Sequence, residues 1–354
     1  MARISNRQPG MPATLEKVAR RARVSPMTVS RVANGRHNVS DVTRQRVLRA
    51  IRDLHYAPNL AARSLATAKT TRIALIFANP SLGYLSELLV GALDRASLTA
   101  TQLVVEKWNG GGRRDELMLA RKLAGGVAGV LLPPPLCESE SLLTSLTGVQ
   151  LPIISIAAGC ALAGIPSVRI DNARAARDMT QYLMSLGHAS IGFIKGHPNQ
   201  AASILRLEGF QQAMSDAGLA CRETWIEQGY FDYRSGLLAA ERLLTTRPRP
   251  TAIFASNDDM ARATVFAALR LGLNVPRDLS VAGFDDTLMA TTMIPELTTM
   301  NQPVAEMADA AAQMLLQSIQ QLPSAQASSG PQDRVFAHRL IKRNSTAPPR
   351  GAQS

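Results

Sequence analysis

Cysteine is scarce. The chain of 354 residues has three, Cys137, Cys160 and Cys221, far apart and with no CxxC pair. That spacing excludes a disulfide framework and a zinc knuckle, and the three read as small buried hydrophobes in a reducing compartment. Long apolar runs are also missing. A membrane-spanning helix needs about 18 to 20 apolar residues, and the nearest approach, residues 125–136, is broken by Pro133, Pro134 and Pro135. Residues 1–12 carry charge but no apolar stretch, so no secretory signal is read there. There is no P-loop, no GxSxG and no HExxH. The run Asn109-Gly110-Gly111-Gly112 could cradle a phosphate only in a context it lacks, and reads as a loop. The expectation is a cytoplasmic protein that is not an enzyme, with no catalytic residue, no cofactor, no metal and no membrane partner.

Charge is present but unevenly placed. The net charge is +12. Residues 1–72 hold 15 Lys and Arg against Glu16, Asp41 and Asp53, while the remainder holds 24 residues of each sign. A basic head on a neutral body points to an acidic partner that touches only the head. A disordered basic tail is the plainer alternative, but the head has ordered apolar periodicity.

Within the head, Thr14 can cap a first helix whose apolar stripe is Leu15, Val18, Ala19 and Ala22. Arg23-Val24 forms a tight turn. Ser25 can cap a second helix with Pro26 at its first position, where a missing N–H costs nothing. Val29, Val32 and Ala33 form its buried stripe, and Asn34-Gly35 a left-handed stop. Met27, Thr28, Ser30, Arg31 and Asn34 are left facing outward. Small polar groups with one guanidinium suit the edge of a base pair, and two short helices on a tight turn make a helix-turn-helix. Ser40 can cap a third helix with a core face of Val42, Val47, Leu48, Ile51 and Leu54. Pro58 ends it. Asn59 can then cap a segment too short to be a stable helix alone, which makes residues 58–71 a conditional hinge.

These residues carry a dense resemblance. Thr14-Leu15, Val18-Ala19, Val24-Ser25, Thr28-Val29-Ser30-Arg31-Val32, Asn34-Gly35, Val39-Ser40, Thr43-Arg44 and Tyr56-Ala57-Pro58-Asn59 with Ala62-Arg63-Ser64-Leu65 resemble the headpiece and hinge of the lac repressor family, the LacI/GalR transcription regulators. The resemblance implies that Pro26, Met27 and Arg31 face the major groove, and that Leu65, paired with its copy in a dimer, wedges into the minor groove. The implied DNA-contacting set is Thr14, Ser25, Pro26, Met27, Thr28, Ser30, Arg31, Asn34, Asn59 and Leu65. Arg31 can offer guanine a bidentate contact; its plainer reading is a solvated helix arginine, and that of Leu65 a core leucine. Relatives often carry polar or aromatic residues where Pro26 and Met27 stand, so readout there rests on apolar contact, for instance with thymine methyls. Ala66 stands where many relatives have a basic residue.

The body reads as strands at 72–78, 102–106, 127–132, 152–156, 191–194, 252–255 and 280–284. They alternate with helices at 85–98, 114–124, 173–186, 204–217, 235–245 and 258–271. Near-continuous apolar strands between helices mean buried parallel sheets. The fold class is a small all-α helix-turn-helix head on an α/β body of two doubly wound parallel-sheet lobes, of the periplasmic-binding-protein kind. The expected divisions are a leader at 1–13, the helix-turn-helix at 14–57, the hinge at 58–71, the body at 72–345 and a tail at 346–354. Lobe 1 takes about 72–168 and 300–330, lobe 2 about 169–299 and 331–345, with one strand-like patch at 335–341. Ligands in such folds sit outside the C-terminal ends of strands. Those loops hold Asn79 and Tyr84; Lys195, His197 and Arg206; Phe231 and Asp232; Asn257 and Asp258; and Asp285 and Asp286. Carboxylates, amides, an arginine and an aromatic face suit a polyhydroxylated ligand.

The body resembles the same family through Asp171-Asn172, Leu186-Gly187-His188, Ile191-Gly192-Phe193, Leu205-Arg206 with Gly209-Phe210, Ala255 with Asn257-Asp258, Gly283-Phe284-Asp285-Asp286 and Pro295 with Leu297-Thr298-Thr299. By resemblance Arg206, Phe231, Asn257 and Asp285 contact an effector, beside Asn79 and Tyr84. Asp171 and Asp286 read either as contacts or as caps, and His188 as structural. Ala157 lies where sugar-binding relatives often have an acidic residue. No leucine heptad follows the body, so a homodimer is expected rather than a coiled-coil tetramer. The implied function is a repressor of carbohydrate-utilisation genes, bound to a palindromic operator and released by a sugar-like effector. The alternatives are a purine- or nucleoside-responsive corepressed regulator and a solute-binding protein that does not touch DNA.

Overall fold

The computed structural model describes residues 15–33, 40–54, 70–162, 164–321 and 333–350. The chain forms two compact units, Met1–Thr70 and Thr71–Ser354.

The first unit is built from α1 (Leu15–Ala22), α2 (Pro26–Ala33) and α3 (Asp41–Asp53). The turn after α1 puts Arg23 at φ 52°, and the Val24 N–H bonds back to the Ala19 carbonyl at 3.0 Å. That six-to-one closure satisfies a carbonyl left free at the helix end. The Ser25 hydroxyl accepts from the Thr28 N–H at 3.2 Å and caps α2. Val18, Ala19, Ala22, Val29, Val32, Val47 and Ala50 form the core, with Leu48, Ile51 and Leu54 partly buried around it. Val42 departs from expectation: it is 79% exposed. Five residues before Val47 it lies about 140° off the core face of a helix with 3.6 residues per turn, whereas Ala50, three residues after Val47, lies on that face.

The second unit runs β1 (Thr71–Phe77), α4 (Leu82–Ser97), β2 (Thr101–Lys107), α5 (Arg113–Ala124), β3 (Gly129–Leu132), α6 (Glu140–Thr147), β4 (Ile153–Ile156), β5 (Ser167–Ile170), α7 (Asn172–Ser185), β6 (Ile191–Lys195), α8 (Ala201–Asp216), β7 (Ile226–Gln228), α9 (Tyr233–Thr245), β8 (Ala252–Ala255), α10 (Asp258–Arg270), β9 (Ser280–Asp285), α11 (Leu288–Thr292), β10 (Thr298–Asn301), α12 (Val304–Gln321), β11 (Arg334–Phe336) and β12 (Arg339–Ile341). One sheet has the order β11-β5-β4-β3-β1-β2, the other β12-β10-β9-β8-β6-β7. The first is parallel throughout; in the second only β12 runs antiparallel.

Pairing moves two expected lobe limits. β5 pairs with β4, so residues 169 and 170 stay with lobe 1. The patch at 335–341 is two strands, β11 beside β5 and β12 beside β10, so the chain changes lobe between them and 334–336 belong to lobe 1. The period-two pattern cannot show that break, because both halves alternate in the same way. α12 packs on α4 and the first sheet. Gly91 lets α4 approach it so closely that a Cβ there would sit 1.9 Å from the Ala305 carbonyl oxygen.

Caps fix where the helices of lobe 2 begin. Asp171, Asp232 and Asn257 each accept a backbone N–H at the start of α7, α9 and α10. The Phe193 ring stacks on Phe210 at 4.8 Å and meets Phe254 edge-on at 5.3 Å, which ties α8 to the sheet. Among the described residues no helix is long and apolar enough to cross a membrane.

Candidate functional site

In the first unit α2 presents Met27 at 65% exposure while Val29 and Val32 face the core. Ser25 and Pro26 are exposed and Thr28 half-buried. The hydroxyls of Ser25 and Thr28 lie 2.9 Å apart, so each is held in place at the helix start. The side chains of Ser30 and Arg31 lie outside the described residues, as do Thr14, Asn34, Asn59, Leu65 and the hinge at 58–69.

In the second unit the strand ends of the two lobes converge on a narrow cleft with a cavity of about 30 Å³. Asn79, Ser81, Tyr84, Pro134 and Ala157 line it from lobe 1; Gln200, Ala202, Arg206, Phe231, Asn257 and Asp285 line it from lobe 2. Gln302, in the crossing between β10 and α12, closes the list. All six residues expected to bind an effector are therefore brought together. A wider groove between α7 and α8 holds charged surface residues such as Arg174, Arg177 and Glu208, with Asp171, the cap of α7, at its edge.

Arg206 is the fixed point of the cleft. It is 5% exposed. Its Nε donates to Asn172 Oδ1 at 2.9 Å, Nη1 to the Ser256 carbonyl and Nη2 to Gln302 Oε1 at 3.2 Å. The guanidinium lies over the Phe284 ring, 3.5 Å from its centroid. Burial lowers its pKa, opposed by Asp285, Tyr84 and Asp258, yet a guanidinium keeps its proton in proteins. Asp285 Oδ1 stands 3.8 Å from Nη1, and its carboxylate takes no hydrogen bond from the described residues. Burial raises the Asp285 pKa well above the usual carboxylate value, and Arg206 opposes the rise.

Around this pair the cleft is uncharged. Gln302 Nε2 donates to the Tyr84 hydroxyl at 3.3 Å, so Gln302 links Tyr84 in lobe 1 to Arg206 in lobe 2. Burial, reinforced by Asp285, pushes the Tyr84 phenol up, so it stays a neutral donor and acceptor. Asn257 Oδ1 caps α10 at 3.0 Å and its Nδ2 donates to the Phe231 carbonyl at 3.0 Å. The Phe231 ring lies on Gly196, where a Cβ would meet ring carbons at 2.0 to 2.4 Å. Ala157, Phe231 and Asp285 have φ of 55°, 62° and 106°. Non-glycine residues in that region store strain, and such strain concentrates at binding sites.

Several strand-end residues do other work. Asp171 and Asp232 cap helices. Asp286 pairs with Arg343 at 2.7 Å and accepts from Asn301 at 3.2 Å, which locks β9 to its neighbours. His188 bonds Thr251, Ser280 and the Ala347 carbonyl and is structural. His197 meets Tyr230 edge-on at 5.6 Å, and neither it nor Lys195 lines the cleft. The glycine run after β2 ends with the Gly112 N–H bonded to Asp115 Oδ2 at 3.0 Å, a helix start already satisfied. Ser81, Pro134, Gln200, Ala202 and Gln302 are lining residues that the sequence reading does not single out. Gln200 and Gln302 follow β6 and β10, so the strand-end rule reaches both once β10 is recognised.

Known proteins bear on both units. The family model "Bacterial regulatory proteins, lacI family" matches residues 14–59, and "Periplasmic binding protein-like domain" matches residues 180–346. Catabolite control protein A of Priestia megaterium is 35% identical over 306 residues, 86% of this chain and 92% of that protein. The HTH-type transcriptional repressor PurR of Escherichia fergusonii is 35% identical over 340 residues, 95% of this chain and 97% of that protein. The ribose operon repressor of Haemophilus influenzae is 32% identical over 308 residues, 87% of this chain and 92% of that protein. Among solved structures, a complex of the transcriptional regulator CelR with cellobiose superposes with a TM-score of 0.71 at 32% identity, covering 94% of this chain and 99% of that one. The lac repressor dimer bound to operator gives 0.68 at 28% identity, covering 95% of this chain and 100% of that one. A helix-turn-helix head joined to a two-lobed body with a ligand cleft at its strand ends is thus shared with named transcription regulators along nearly the whole chain, and this chain belongs to the lacI family of bacterial transcription regulators.

Proposed function

We propose that the chain represses carbohydrate-utilisation genes from a palindromic operator and is released when a sugar-like effector enters the cleft. The observation that carries this reading is the Asp285 carboxylate, without a hydrogen bond from the described residues and 3.8 Å from the Arg206 guanidinium. A carboxylate beside a planar donor fork accepts from paired hydroxyls while the fork donates to their neighbours. The Phe231 ring supplies an apolar face for the C–H side of a sugar ring. The ribose operon repressor and the cellobiose complex of CelR support the same ligand class. Ala157 leaves the lobe 1 wall without a carboxylate, so the effector's specificity comes from Asn79, Tyr84 and Gln302.

A purine or nucleoside corepressor is the second reading. PurR relatives match 95% of the chain, and aromatic and amide groups suit a base as well as a sugar. Thermal stabilisation against a panel of sugars and purines separates the two, because bound ligand raises apparent stability by mass action.

The DNA reading places Ser25, Pro26, Met27, Thr28, Ser30 and Arg31 on the operator, with Thr14, Asn34, Asn59 and Leu65. Two heads imply a homodimer, since operator symmetry mirrors protein symmetry. Leu82, Val90 and Leu93, exposed at helical spacing on α4, and Phe266 and Leu269 on α10 supply apolar surface for such a contact. Its place of action is the cytoplasm, where DNA is. Mobility-shift titration with palindromic sequences from the gene's own neighbourhood, at rising salt, tests the reading. Specific binding that weakens with salt supports it; no specific shift sinks it.

A further inference from the structure

Three of the long helices in lobe 2 supply their own N-terminal cap: Asp171 for α7, Asp232 for α9 and Asn257 for α10. α8 does not. Gln200 at its cap position makes no capping bond with its side chain, and no acidic residue lies in its first turn. Its cap comes from the other lobe. Glu138, at the end of the short turn Leu136–Glu138 that follows β3, accepts from the Ala201 N–H through Oε2 at 2.8 Å. Its Oε1 accepts from the Gly159 N–H, also at 2.8 Å and within lobe 1. Gly159 thus aims the carboxylate, and Ala201 receives it across the cleft.

A second observation marks the same junction. The loop after β4 touches the start of α8 so closely that a Cβ on Gly159 would lie 2.4 Å from Ala201 Cβ and 2.7 Å from the Ala201 carbonyl carbon. Glycine at 159 is what lets the lobes meet there. A carboxylate at a helix N-terminus also faces the positive end of the helix dipole, so the contact is attractive as well as close.

We propose that Glu138 is an inter-lobe latch. It caps α8 only when the lobes are closed, and so seats Gln200, Ala202 and Arg206, all on or beside α8, against lobe 1 without itself lining the cleft. It is a positioning residue that sets how readily the cleft closes. The inference stands on the two-lobed body alone and is independent of the operator and the effector class.

The test is the distance between nitroxide labels at Arg113→Cys and Arg234→Cys. Both positions are exposed at cleft-side helix starts, one in each lobe. Against the expectation of three buried cysteines, Cys160 is exposed and Cys221 half-buried, so Cys160→Ser and Cys221→Ser remove the accessible thiols, and labelled full-length chain is diluted with unlabelled chain so that only distances within one chain are read. The background protein shows a short-distance population. Glu138→Ala reduces the ratio of short to long distances about tenfold, the scale of one lost charge-assisted hydrogen bond. Glu138→Gln does the same more weakly, because its amide oxygen can serve only one of the two N–H groups. Gly159→Ala moves the ratio in the same direction by steric contact with Ala201. Melting temperature and circular dichroism stay close to the background values, which a purely structural role for Glu138 does not predict. Unchanged distances in both Glu138 variants, or a background with no short-distance population, overturn the proposal.

Discussion

Arg206 and Asp258 show how burial sets the chemistry of single residues here. Asp258, the first residue of α10, accepts from the Thr287 N–H at 2.7 Å, from the Thr287 hydroxyl at 3.0 Å and from the Thr299 hydroxyl at 2.6 Å. Those bonds favour the charged form, but burial outweighs them and pushes its pKa up to about 7 from 3.8. A raised folded-state pKa means that this group's contribution is full below about 3.8 and is lost as pH rises through about 7. Asp285 acts in the same direction. Urea unfolding at pH 5 and pH 8 therefore finds wild type losing about 2–3 kcal/mol relative to Asp258→Asn over that interval. A difference that does not change with pH contradicts this account. Arg206→Lys is expected to behave like a loss, not a conservative change. An ammonium cannot bond Asn172, Ser256 and Gln302 at once or lie flat on Phe284. Its readout is an effector response lost while operator affinity is kept.

At the scale of elements, glycine positions decide how closely helices pack. A Cβ at Gly91 would meet the Ala305 backbone at 1.9 Å. Gly91→Ala should destabilise the body by about 1–3 kcal/mol, seen as a lowered denaturant midpoint. In the head, Ser25→Ala removes the α2 cap and should cost about 0.5–2 kcal/mol, read from the first unfolding transition.

Element lengths also explain what the sequence could reveal. β1, β6, β8 and β9 are apolar runs bounded by helices, and five of the six residues that meet in the cleft, Asn79, Tyr84, Arg206, Asn257 and Asp285, lie at or beyond their ends, while Phe231 follows the short β7. β5, β7 and β10 are three or four residues long and interrupted by polar groups such as Arg169, Glu227 and Thr299. Too short to show a period, they stay hidden, and Gln302 beyond β10 stays hidden with them. Val42 misleads for a related reason. An apolar residue on the far side of a helix is indistinguishable by type from one on its core face. The cross-lobe bonds of Glu138 had no local signal, because a cap supplied from 63 residues away leaves no pattern around either partner.

For the whole molecule, the question is how a cleft in the body governs a head that reads DNA. To change operator occupancy from 99:1 to 1:99, an effector must distinguish two states of the body by about 5.5 kcal/mol. Closure of the lobes is the difference available, and the bonds that span it are those of Gln302 with Tyr84 and Arg206 and of Glu138 with Ala201. The basic head predicts a second property. Specific and non-specific binding should both weaken steeply with salt, and Arg31→Ala should reduce specific affinity by about 1–3 kcal/mol.

The most direct measurement is operator binding by fluorescence anisotropy across a carbohydrate panel, for wild type and Arg206→Ala side by side. The account predicts that both bind the operator equally without sugar, that one class of sugar lowers the affinity of wild type, and that the same sugar leaves Arg206→Ala unchanged. A variant that still responds, or a wild type that binds no sequence specifically, contradicts it.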